Sequence, residues 1–199
     1  MIRYWTRSLL AASVLLAAAF LPAQEETEDT PRQECFPVRI AGTGLEQKPM
    51  LRGIWVDSWG NGIHSRAQCE ELVKTAREAN LNAIFPEVRK VGDAYYEGGL
   101  EPRASNIEED DFDPLAYLIE LCHDTSGGKQ YIEVHAWLVT FRVWNTDLGD
   151  PPAGHLLAEH PDTIMSTAAG ETVGGSSVFA DPGHPITEDW TVKVFRDVA

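Results

Sequence analysis

Basic residues are scarce in this chain: 16 Lys and Arg stand against 31 Asp and Glu, a formal net charge of −15. A field of that sign repels phosphate backbones and anionic head groups, which argues against nucleic acid and membrane surfaces as partners. It suits a neutral or cationic ligand, although a solvated surface tuned for solubility has the same composition. Cysteine is thin as well. Cys35, Cys69 and Cys122 show no CxxC spacing, so neither a disulfide framework nor a thiolate zinc site follows. There is no HExxH; His155 and His160 stand five apart and His123 and His135 fall on different elements, so no metal or other cofactor is expected. The sequence also lacks a Gly-x-Ser-x-Gly elbow and any phosphate-loop spacing. The pairs Gly98-Gly99, Gly127-Gly128 and Gly174-Gly175 read as turns.

Long apolar runs are missing too. The longest, Leu9 to Leu21, follows Arg3 and Arg7 and ends near Ala23, which is the pattern of a secretory signal over residues 1–23. It is short for a membrane span, although Leu21 is bulkier than the usual residue two places before a cleavage point, which keeps an uncleaved anchor as the rival reading. Either way the remainder is expected to be secreted or periplasmic. Residues 24–48, rich in Glu, Thr, Gln, Pro and Gly, cannot bury enough surface to offset their ordering entropy and read as a linker.

From residue 49 the pattern becomes strand, helix, strand, helix, strand, which implies an α/β domain with a parallel sheet. The first strand is Gly53 to Asp57. Ser65 then caps a helix with Gln68 as its capping-box partner, and Cys69, Leu72, Val73 and Ala76 form its apolar face. Asn80 ends that helix as a left-handed residue just before a second strand, Leu81 to Val88. Asp113-Pro114 opens a second helix whose buried stripe is Leu115, Leu118, Ile119 and Cys122. A Ser126–Gly128 turn leads to a third strand, Tyr131 to Leu138, and a long polar segment runs on to Thr187, which caps a last helix striped by Trp190, Val194, Phe195 and Val198. The long loops follow strands, and in (β/α) barrels such loops build the active site.

Side chains alternate along a strand, so each of the three carries an aliphatic face and a polar-aromatic face. Trp55 and Asp57 share one face of the first strand. Phe85, Glu87 and Arg89 share one face of the second, and Glu133, His135 and Trp137 one face of the third. With the aliphatic faces under the helices, the polar faces converge on a common site. Hydrolysis of a glycosidic bond uses two carboxyl groups, and Asp57 and Glu87 are the inward candidates. Arg89, Asp93 and His135 supply hydrogen bonds to hydroxyls, and Trp59, Tyr95, Tyr96, Trp137 and Trp144 supply faces for sugar rings; core packing and an Asp57–Arg89 ion pair are the structural alternatives.

The strings RGIWVDSW (Arg52 to Trp59), FPEVRKVGDAYYEGGLEPRA (Phe85 to Ala104), DPLAYLIELCHD (Asp113 to Asp124) and EVHAWL (Glu133 to Leu138) resemble, in order and spacing, the glycosyl hydrolase-like 10 family. HLLAEHPD (His155 to Asp162) and FADPGHP (Phe179 to Pro185) resemble the segment that precedes that family's fourth strand. The resemblance implies a TIM-type barrel and hydrolysis of glycosidic bonds in cell-wall or other extracellular polysaccharide, with Arg142 matching a family position. Two positions depart from it: Glu87 stands where many relatives have Gln, and Val139-Thr140 where they have Asn-Pro. The family's fourth-strand acidic motif is expected beyond Ala199, so the chain reads as the N-terminal portion of a (β/α)8 barrel, cut after about three β/α units and unstable alone. A carbohydrate-binding barrel without catalysis and a metal-dependent polysaccharide deacetylase are the other functions weighed.

Overall fold

Four short runs of β-branched and aromatic residues build one parallel sheet. The computed structural model describes residues 50–199, so the expected signal (1–23), the linker (24–48) and Cys35 lie outside the described residues. Strand β1 (Gly53–Val56) pairs in parallel with β2 (Ala83–Arg89), Gly53 opposite Ala83. On its other side β2 pairs in parallel with β3 (Glu133–Val134) and then with β4 (Trp137–Leu138).

The third strand is therefore not the continuous Tyr131–Leu138 run expected, and Pro86 gives a physical reason. Ile84 O accepts from His135 N at 2.9 Å, so the even residues of β2 turn their backbone groups toward β3. Pro86, two residues on, has no N–H to give, and the pairing lapses at His135 and Ala136. It resumes at Glu87 opposite Trp137, with a register shift before Arg89 and Leu138.

Helices α1 (Arg66–Glu78) and α2 (Pro114–His123) cover the aliphatic face. Cys69, Val73 and Ala76 of α1 and Leu115, Leu118 and Cys122 of α2 meet Val56, Ile84, Val88 and Ile132, each apolar side chain contributing roughly 1.5–3 kcal/mol by leaving water. Ile54 departs from the expected alternation: it lies on the edge strand and is 38% exposed. Asn80, at φ 55°, makes the left-handed exit from α1, and Asp113 caps α2 through Ala116 N at 2.9 Å. The capping box at α1 does not form. Gln68 Oε1 instead accepts from Gly62 N at 2.8 Å and His64 N at 3.1 Å, closing the loop that leads into the helix, and the Ser65 side chain makes no cap.

The segment expected to be long and polar up to Thr187 contains regular elements. Strands β5 (Arg142–Asn145) and β6 (Ser177–Phe179) form an antiparallel ribbon, with a short helix α3 (Leu156–Glu159) between them in sequence. Val143, Trp144, Leu156, Leu157, Val178 and Ala180 pack with Trp190 and Val194 of helix α4 (Pro185–Val198) into a second apolar cluster. The apolar positions lie too far apart in sequence to show either period, which hid this cluster. His184, not Thr187, caps α4, with Nδ1 accepting from Ile186 N at 3.3 Å. Thr187 is buried inside the first turn, and Phe195 faces out.

Candidate active site

Toward the C-terminal ends of β1 and β2, Asp57 and Glu87 accept successive backbone N–H groups of one turn, Ser58 to Gly60. Asp57 Oδ1 accepts from Trp59 N at 2.9 Å and Gly60 N at 3.0 Å, an Asx-type turn that bends the chain just past β1. Those donors, Gly60 first, hold its carboxyl below the usual range. Glu87 Oε2 accepts from Ser58 N at 2.8 Å, while the Ser58 hydroxyl donates to the Glu87 carbonyl oxygen. Glu87 is buried, and burial raises its pKa, helped by Asp57 and Asp93 and opposed by the Ser58 N–H and Lys90. The two neighbouring acids are thus pushed in opposite directions, Asp57 by backbone donors and Glu87 by burial.

Behind Ser58 lies a buried polar network. Its carbonyl is met by Asn106 Nδ2 at 3.0 Å, Tyr95 OH at 3.2 Å and His64 Nε2 at 3.2 Å. Lys90 Nζ reaches Asn106 Oδ1 at 2.9 Å, Asp93 Oδ2 at 3.1 Å and the Tyr95 hydroxyl. Asp93 Oδ1 takes Lys90 N and Val91 N, both at 3.1 Å. Burial lowers the His64 pKa, favouring the neutral ring, and raises that of Tyr95, favouring the phenol. Asp93 and Tyr95, expected to touch ligand, both serve this network; Tyr95 is fully enclosed, whereas Asp93 also lines the neighbouring cavity.

Arg89 is also turned inward. Its Nε and Nη2 grip Glu101 at 2.6 and 2.7 Å, and Nη1 donates to the Val139 and Thr140 carbonyls, 2.8 Å for the latter. Glu101 also receives Trp190 Nε1 at 2.9 Å. The expected alternative of an Asp57–Arg89 ion pair is thus replaced by one between Arg89 and Glu101, and the departure at Val139-Thr140 falls where Arg89 is met by backbone atoms. His135 and Trp137 make aromatic contacts on this side of the sheet. His135 stacks on Phe85 at 4.9 Å and meets Glu133 at 2.8 Å; Trp137 meets Trp55 edge-on at 5.3 Å, and Trp55 stacks on Phe85 at 4.6 Å.

Beside the network a cavity of about 380 Å³ opens between Trp59, Lys90, Asn106, Trp144 and Asp150. The Arg142 guanidinium lies 5.0 Å from the Trp59 ring, and its buried Nε has no acceptor among the described residues. His155 is no metal ligand: Nδ1 accepts from Leu157 N at 3.1 Å, leaving the proton on Nε2, which reaches Val143 O at 2.8 Å and Val91 O at 3.0 Å. Gly92, at φ 76°, lets the loop pass that ring, which any side chain there would strike. Among the described residues no three His, Cys, Asp or Glu side chains cluster for a metal, and no helix is long and apolar enough to cross a membrane.

The glycosyl hydrolase-like 10 profile matches residues 50–199, the whole described region. The chain belongs to the glycosyl hydrolase-like 10 family. Among solved structures, it is similar to a hypothetical protein from Ruminiclostridium thermocellum ATCC 27405, with a TM-score of 0.53 and 14% identity over 73% of this chain and 69% of the other. At that identity the likeness bears on the fold alone. A search of curated proteins gives no match. Within this glycosyl hydrolase-like 10 chain, sequence reasoning missed Ser58, His64, Lys90, Glu101 and Asn106. Ser58 and Lys90 each sit beside a named candidate, which was the available signal. Asn106 and Glu101 lie in a loop whose path no periodicity reveals.

Proposed function

We propose that this exported chain carries part of the site of a glycoside hydrolase acting on an extracellular or cell-wall polysaccharide, on the first units of a (β/α)8 barrel. Glu87 is the proton donor to the leaving oxygen and Asp57 the ionised partner, as nucleophile or base. The observation that supports the reading is geometric: Asp57 just past β1 and Glu87 near the end of the adjacent parallel β2 both accept backbone N–H groups of the Ser58–Gly60 turn, and their surroundings push the two acids in opposite directions. The cavity at Trp59 and Trp144 has room for a sugar ring. Export rests on the basic-then-apolar pattern of residues 1–23.

The test is reducing-end release from polysaccharide by the full chain and by Glu87→Gln. Loss of a general acid removes roughly 10²–10⁴ of the rate, and a variant that melts normally and keeps the wild-type rate would overturn the assignment. A second reading, a carbohydrate-binding barrel without catalysis, draws on the burial of Glu87, 3% exposed beneath Ser58. It requires glycan binding by both proteins and release by neither.

A further inference from the structure

We propose that Asn106 is a positioning residue: oriented by Lys90, it fixes the Ser58–Trp59 peptide so that the Ser58 N–H stays on the Glu87 carboxylate. The inference rests on the reading of Glu87 as the proton donor.

The orientation of Asn106 is set by what its neighbours are able to do. An ammonium group only donates, so Lys90 Nζ, itself 5% exposed, requires the oxygen of the Asn106 amide at 2.9 Å. Tyr95 OH meets the same oxygen at 2.5 Å. The Asn106 NH2 group must then face the other way, and it lies 3.0 Å from Ser58 O. His64 supports this arrangement in either neutral tautomer, donating to Ser58 O at 3.2 Å or accepting from Asn106 Nδ2 at 3.2 Å. Asp93 anchors Lys90 at 3.1 Å, so the series runs from Asp93 through Lys90, Asn106 and Ser58 to Glu87.

The peptide plane between Ser58 and Trp59 is pinned at both edges, its oxygen by Asn106 and its N–H by Asp57 Oδ1 at 2.9 Å. The Ser58 hydroxyl is also tied, to the Glu87 carbonyl. With the plane and the hydroxyl fixed, Ser58 has little torsional freedom left, and its own N–H is aimed at Oε2. The remaining charged groups that act on Glu87 are Asp57 at the end of β1 and Asp93 and Lys90 in the loop after β2.

The test is NMR on the full chain, following the Ser58 amide proton and the Glu87 side-chain carboxyl carbon through a pH titration. In the wild type the two move together. In Asn106→Ala the movement of the Ser58 amide falls at least twofold, and the basic limb of any hydrolysis moves to higher pH because the carboxylate has lost a donor. Asn106→Asp keeps an acceptor for Lys90 and Tyr95 while removing the donor to Ser58, so it guards against an unfolded alanine variant and shows the same amide loss. A folded variant in which the Ser58 amide still follows Glu87 with full amplitude overturns the proposal. If the amide behaves as stated while neither wild type nor variant cleaves glycan, the positioning geometry stands and the hydrolase reading falls.

Discussion

Replacing Glu101 with Gln tests whether Arg89 belongs to the fold or to the ligand. The two side chains are 4% and 0% exposed, and the carboxylate takes two guanidinium bonds and the indole N–H of Trp190. Gln keeps the shape and one acceptor oxygen but turns its amide NH2 toward the other guanidinium N–H, leaving the buried cation with neutral acceptors only, that oxygen and the Val139 and Thr140 carbonyls. Breaking one side of such a pair costs about 3–5 kcal/mol. For a domain of this size each kcal/mol is about 2–4 °C, so the melting midpoint should fall by roughly 6–20 °C. Urea unfolding followed by circular dichroism should show a lower midpoint at an unchanged slope. The paired change Arg89→Met with Glu101→Leu should recover most of the loss, since an apolar pair of similar volume replaces a desolvated one. A Glu101→Gln unfolding free energy within about 1 kcal/mol of wild type would refute the reasoning and return Arg89 to the list of ligand contacts.

Glu87→Gln should alter the pH dependence of stability. The folded carboxyl binds its proton more tightly than the unfolded one, so wild-type stability falls as pH rises from the ordinary value of 4.5 through the raised folded value, and the Gln variant, followed by denaturant melts across that window, should stay flat. Asp57→Asn keeps Oδ1 as acceptor for Trp59 and Gly60, so its melt should match wild type within a few degrees while glycan hydrolysis, measured by reducing-end release, falls by more than about tenfold. Asp57→Ala should in addition lose the small stability that is present above the unfolded carboxyl pKa and disappears as pH falls through the depressed folded value. Cys69 and Cys122, buried and with thiols pushed up to about 12, should resist a thiol reagent at pH 8 until the chain is unfolded; rapid labelling of the native chain would contradict their place in the core.

The parallel order of the strands, both covering helices and the Asn80 and Asp113 boundaries were legible because each rests on a local signal. What failed depended on distant partners. Gln68 fits a capping box by spacing, yet Gly62 and His64 present it with backbone donors that sequence distance does not disclose. Thr187 fits a cap, but His184-Pro185 one turn earlier offers an acceptor and a residue with no N–H to satisfy. The polar face of β2 was read correctly as a face, but not the fate of its members: Glu87 meets the Ser58 loop, whereas Arg89, two residues on, is captured by Glu101 from the loop after β2. Alternation assigns a side of the sheet and leaves open which loop arrives to meet it.

That same difficulty suggests how structural and chemical acids separate in this fold. Irregular loops above a sheet must satisfy their backbone groups without a ladder, and here ionisable side chains do much of it: Asp93 for Lys90 and Val91, Arg103 for the Glu109 and Phe112 carbonyls, His155 for Val91 and Val143. A carboxylate recruited for that work is saturated. Asp93 spends one oxygen on two N–H groups and the other on Lys90, and both Glu101 oxygens are taken by Arg89, with Trp190 added. Asp57 and Glu87 differ. The Trp59 and Gly60 donors both fall on Oδ1 of Asp57, and the Ser58 N–H falls on Oε2 of Glu87, so one oxygen of each acid lies outside these bonds. An acid held by one oxygen is oriented without being consumed, and its second oxygen can exchange a proton or meet a sugar carbon. By that criterion Asp93 and Glu101 are bound into the structure, whereas Asp57 and Glu87 each keep the oxygen that the proposed chemistry needs.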